Sequence, residues 1–102
     1  MNGFKSMGIV EIFYNGTWGT VCAHNFNSTS AKVICRQLGY RDQINFNTLY
    51  GNGSGPIWLD NVICNGYEST VAACRHSNWG INNCTHNNDV GITCFDSKFI
   101  RS

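Results

Sequence analysis

Charge is scarce in this chain. Only 13% of its 102 residues are Asp, Glu, Lys or Arg, and the formal net charge is +1. A general nucleic-acid binder carries a strong basic excess, so that partner class is excluded. No apolar run approaches the ~20 residues that cross a bilayer as a helix, which argues against direct membrane insertion. Met1 to Ser6 is not followed by the uninterrupted apolar core of a secretory signal. No two cysteines stand in the short C-x₂₋₄-C spacing that gathers zinc ligands. No G-x-S-x-G elbow presents a serine nucleophile. Gly51 and Gly53 begin a G-x-G pattern, but Pro56, the single proline, stands where the third glycine belongs. His24, His76 and His86 lack any local signature of a general base. There is no internal repeat, heptad or low-complexity tract, and an enzyme is not expected.

What is present points to a folded extracellular module. The length fits one domain, whose small core would gain from cross-links. Aromatic residues make up 13% of the chain, unlike a disordered segment. Six cysteines, at 22, 35, 64, 74, 84 and 94, suggest three disulfides and an oxidising compartment. Sequence spacing leaves their pairing open. The sequons at Asn15, Asn27, Asn52 and Asn83 point the same way as candidate glycosylation sites. Paired cysteines require export, so the expectation is a domain from a longer secreted or membrane-anchored protein.

Gly8 to Tyr14 reads as a strand, Asn15-Gly16 as a two-residue hairpin turn, and Thr17 to Val21 as the returning strand. Ser28, Thr29 and Ser30 offer capping oxygens for a helix over Ala31–Leu38. Its period buries Ala31, Ile34, Cys35 and Leu38 and turns Lys32 and Arg36 outward, with Gly39 closing it. Tyr40 to Pro56 has no clean period and reads as a loop. Ile57 to Ile63 reads as a strand, Ser69 to Cys74 as a helical turn, Asn78 to Asn88 as a loop, and Val90 to Cys94 as a closing strand.

Gly8-Ile9-Val10-Glu11-Ile12 with Gly16-Thr17-Trp18-Gly19-Thr20-Val21-Cys22 resembles the opening of scavenger receptor cysteine-rich domains. Val33-Ile34-Cys35-Arg36-Gln37-Leu38-Gly39-Tyr40 and Gly53-Ser54-Gly55-Pro56-Ile57-Trp58-Leu59-Asp60-Asn61-Val62 match further family motifs. Cys64 with Glu68-Ser69 and Cys74, and Trp79-Gly80 with Cys84, His86, Asp89, Gly91 and Cys94, complete the series. The resemblance implies an α+β fold: a small disulfide-rich domain with a curved antiparallel β-sheet cradling one α-helix, and long cross-linked loops. It implies the six-cysteine group A pairing, Cys22–Cys84, Cys35–Cys94 and Cys64–Cys74. Residues 8–95 would form the domain, 1–7 an N-terminal extension and 96–102 a C-terminal tail.

The same resemblance implies binding rather than catalysis, with no cofactor required. Family members hold cations through acids just after the first cysteine and in the closing motif, where this chain has Ala23, His24 and Asn88. That site reads as lost. A second family site leaves Asp60, Asn61 and Glu68 as candidate ligands for weak calcium binding, set against simple hydrogen bonding to loop backbone. Lys32, Arg36, Arg41 and Arg75 are the candidate ligand-binding residues for a polyanionic or microbial surface. His86 reads as a structural hydrogen-bonding group. Trp18, Trp58 and Trp79 read as packing residues, while Phe26 and the loop Ile44–Tyr50 are candidate protein-contact anchors. The expected function is extracellular ligand recognition; the alternative is a spacer domain of a larger protein with no ligand of its own.

Overall fold

A computed structural model describes residues 3–97 of the chain. It contains six strands and one α-helix: β1 (Gly3–Ile9), β2 (Glu11–Tyr14), β3 (Thr17–Val21), α1 (Ser28–Gln37), β4 (Asp42–Asn47), β5 (Ile57–Leu59) and β6 (Gly91–Ser97). Short 3₁₀ turns cover Val71–Ala73 and His86–Asn88. The strands form two three-stranded sheets, ordered β1-β6-β4 and β2-β3-β5. The first is antiparallel throughout, whereas β3 and β5 run parallel. A parallel pair needs a long crossover, and here that crossover carries α1 and β4. The fold is therefore the expected disulfide-rich α+β domain, with one helix packed on two small sheets.

The hairpin forms as its turn residues dictate. Asn15 and Gly16 both adopt positive φ, 51° and 79°, and Tyr14 pairs directly with Thr17 across the turn. The strand expected over Gly8–Tyr14 is instead two strands in different sheets. β1 pairs with β6, β2 pairs with β3, and Val10 sits at the switch, donating its N–H to Val90. Residues 3–7, within the stretch expected as an extension, belong to β1 and pair with β6, from Gly3 opposite Ser97. β6 also runs two residues into the expected tail, and residues 98–102 lie outside the described residues.

α1 starts earlier than its apolar period suggests. Asn27, one residue before the predicted caps, accepts the Ser30 N–H at 2.9 Å. At its other end Gly39, at φ 92°, donates to Arg36 O while Tyr40 N–H reaches Cys35 O, a Schellman closure. That closure carries Leu38 away from the buried stripe, so Leu38 is 64% exposed while Ala31, Ile34 and Cys35 are buried. The apolar core joins this face to Val21, Leu59, Val62, Val71, Val90 and Ile92.

The disulfides are Cys22–Cys84, Cys35–Cys94 and Cys64–Cys74. The first ties the end of β3 to the segment before β6, the second ties α1 to β6, and the third closes a loop over a separation of 10 residues. Separations of 62 and 59 residues make the first two worth about 4 kcal/mol each in the chain-entropy model, and the third about 3.

Candidate functional site

Two buried aspartates neighbour Cys22: Asp89 bridges its backbone, and the Asp60 carboxylate lies near the Cys22–Cys84 sulfurs. Asp89 is fully enclosed. Its carboxylate accepts the Thr20 hydroxyl at 2.7 Å, the Gly53 N–H at 2.7 Å and the His86 Nδ1 at 2.8 Å. His86 Nε2 faces the Gly55 carbonyl at 2.9 Å, so both ring nitrogens meet acceptors. Only imidazolium donates from both. The hydrogen bond to Asp89, aided by the Gly55 carbonyl, accordingly raises the His86 pKa above its ordinary value. Gly53 fits because it lacks a side chain: a Cβ there would lie 2.5 Å from Thr20 Cγ2 and 3.0 Å from Asp89 Oδ2. His86 thus holds the structural role expected of it, pinning the Gly53–Gly55 loop to the start of β6.

Asp60 is placed differently. Its Oδ1 accepts the Asn61 N–H at 2.8 Å and lies 3.5 Å from His24 Nδ1. It opens on a cavity of about 480 Å³ lined also by Asn61, Asn82 and Asn88. The positions read as a lost cation site, His24 and Asn88, therefore converge with Asp60. The donor set is poor for a hard cation, which takes six to eight oxygens. Asn88 Oδ1 is engaged by the Thr85 N–H, and Asn61 Oδ1 by the Asn25 amide.

Glu68 does not join Asp60 in one cluster. Both Glu68 oxygens accept the Asn65 N–H, at 3.1 and 2.9 Å, and Oε1 also takes the Gly66 N–H. These backbone donors, Asn65 foremost, lower its pKa. Among the described residues, two groups have ligand atoms close enough to hold a metal: Cys22, Asp60 and Cys84, and Cys64, Glu68 and Cys74. In each the sulfurs belong to a disulfide, leaving one carboxylate as the charged ligand.

Lys32, Arg36, Arg41 and Arg75 are all exposed. Arg36 reaches across to the Gly66 carbonyl, the turn that Glu68 caps. Arg41 opens β4 through its N–H to Phe95 O, and Arg75 bridges Ile63. None of the four pairs with a carboxylate among the described residues, where the two ion pairs are both His–Asp.

The aromatic residues divide. Phe26, expected as a possible surface anchor, is buried and packs edge-on against Phe46. Leu49, within the loop expected as a contact, is 86% exposed. Trp58 and Trp79 pack with Tyr14, which stacks on Trp79 at 3.8 Å. Trp18, read as a packing residue, is instead exposed beside Phe13, with ring centroids 5.2 Å apart. Sequence reasoning missed this pair, although the alternation in β2 and β3 places both on one hairpin face.

A family model described as the scavenger receptor cysteine-rich domain matches residues 2–95. Lysyl oxidase homolog 2 of Gallus gallus is 50% identical over 93 residues, covering 89% of this chain and 12% of the relative. Its Homo sapiens counterpart is 47% identical over 95 residues, covering 91% and 12%. Among solved structures, the dimeric form of the SRCR domain of mouse MARCO superposes with a TM-score of 0.85 at 42% identity, covering 92% of this chain and 91% of that one. The third SRCR domain of murine neurotrypsin gives 0.75 at 43% identity, covering 86% and 84%. The chain spans about 12% of the length of the curated relatives it matches.

Proposed function

This chain belongs to the scavenger receptor cysteine-rich family, a non-catalytic extracellular module, and we propose that it recognises polyanionic surfaces through Lys32, Arg36, Arg41 and Arg75. The observation that carries this reading is the absence of carboxylate partners for those four exposed cations among the described residues. Two of the six acids, Asp60 and Asp89, are buried. The surface is therefore more positive than the net charge of +1 suggests, and unpaired cations attract anionic ligands at long range. Sulfated polysaccharides and anionic microbial surfaces supply such ligands. Weak calcium binding is proposed separately from polyanion recognition: Asp60 with Asn61, and Glu68 elsewhere, each offer a single carboxylate.

Binding of the oxidised chain to an immobilised sulfated polysaccharide, with calcium and then with chelator, tests this. Saturable binding that weakens with salt, survives chelator and falls on the order of tenfold in Lys32→Glu/Arg36→Glu is expected. No binding in either condition overturns it. The share of each relative that the chain spans favours a second reading, a spacer within a larger protein, under which the charge reversal changes nothing but stability.

A further inference from the structure

The β2–β3 hairpin carries a sequon at its tip and bare aromatic rings beside it. Asn15-Gly16-Thr17 occupies the two-residue turn and its first returning residue, with Asn15 at φ 51° and exposed. Tyr14 and Thr17 are directly opposed, so the sequon hydroxyl shares a face with the Tyr14 ring. One side of that ring is stacked on Trp79, and the residue remains 37% exposed. On the other face Phe13 and Trp18 are 57% and 58% exposed. Two large rings exposed side by side make a local apolar patch that a covering group can bury.

The other three sequons also sit on exposed asparagines, but the fold engages part of each. Asn27 caps α1, and its Thr29 lies inside the helix. The Asn52 amide is tied to Asn87. In Asn83-Cys84-Thr85 the middle residue is locked to Cys22, and the Thr85 hydroxyl accepts the Asn87 N–H. Neither the Asn15 carboxamide nor the Thr17 hydroxyl has such an attachment among the described residues.

We propose that Asn15 is the N-glycan acceptor of this domain, and that the hairpin rings form the platform for the first N-acetylglucosamine. In the transfer, the Asn15 amide nitrogen displaces a polyprenyl diphosphate from C1 of a lipid-linked oligosaccharide. A C–N bond replaces the C–O bond, and the amide proton leaves with the diphosphate. The sugar's axial C–H groups then cover ring surface otherwise exposed to water. The glycan makes the hairpin tip a shielded end of the molecule, which leaves recognition to other faces. This inference does not depend on polyanion binding.

The full chain, secreted from a eukaryotic cell, is mapped by glycopeptide mass spectrometry. Glycan on Asn15 in most molecules, lost in Thr17→Ala, is expected. An unmodified Asn15 peptide from secreted, fully oxidised protein overturns the assignment. The platform is tested by trimming the glycan to its first sugar with an endoglycosidase and comparing melting points with Asn15→Gln. The single-sugar form should melt at least ~2 °C higher. Equal melting points overturn the packing of the sugar on the rings.

Discussion

Asp89 and Asp60 are the same residue type, similarly buried and both neighbours of Cys22, yet they are committed to different ends. Asp89 spends its carboxylate on Thr20, Gly53 and His86, which come from β3, the loop before β5 and the turn before β6. A buried charge is tolerable only when it is hydrogen-bonded, and here three donors converge on it. Asp60 has one backbone donor and one distant imidazole, and its open side faces a cavity. The difference separates a carboxylate that holds the fold together from one that the fold merely accommodates.

The comparison is broken most severely at Asp89. Asp89→Ala strands a buried hydroxyl, a backbone N–H and a charged imidazole, and should cost about 3–5 kcal/mol in urea unfolding. Asp89→Asn should recover part of that loss. Next comes Gly53→Ala, which drives a methyl group against Thr20 and Asp89. Overpacking of this kind costs about 1–3 kcal/mol, read in the same unfolding experiment.

The pH dependence of stability is a smaller effect, with a definite sign. The folded His86 pKa is raised, so its contribution is fully present below the unfolded value of 6.5 and is lost as pH rises through the folded pKa. The melting point should therefore fall from pH 6 to pH 8, and His86→Gln should flatten that slope. Smallest of all is Asp60→Asn, which keeps the Asn61 contact and should change stability by less than about 1 kcal/mol. A loss as large as that of Asp89→Ala would erase the distinction between the two aspartates.

Much of the fold was legible because local chemistry agreed with it. Asn15-Gly16 demanded a primed turn, and the apolar stripe of α1 ended at a glycine. β4 was not legible: Asp42-Gln43-Ile44-Asn45-Phe46-Asn47 is polar, and its pairing with β6 shifts register between Gln43 and Asn45. Gln43 to Asn47 does alternate polar and apolar, but a bulge takes Ile44 out of the pairing and leaves it 48% exposed, so the alternation marks no single buried face. The start of β1 was equally silent, because its strand character comes from pairing with β6, a partner some 90 positions away in the chain. At the candidate site, family motifs located Asp60, Glu68 and His86. They did not decide between cation binding and the backbone hydrogen bonds that Glu68 makes, and did not reveal that Asp60 meets His24. Those facts belong to loop conformation, which side-chain chemistry in the sequence does not encode.

The most direct test of the account compares affinity for a sulfated polysaccharide in three proteins: the parent chain, Lys32→Glu/Arg36→Glu and Asp60→Asn, each with calcium and with chelator. Charge reversal should weaken binding on the order of tenfold, while Asp60→Asn and chelator should leave it unchanged. Binding abolished by chelator or by Asp60→Asn, and indifferent to the charge reversal, would contradict it.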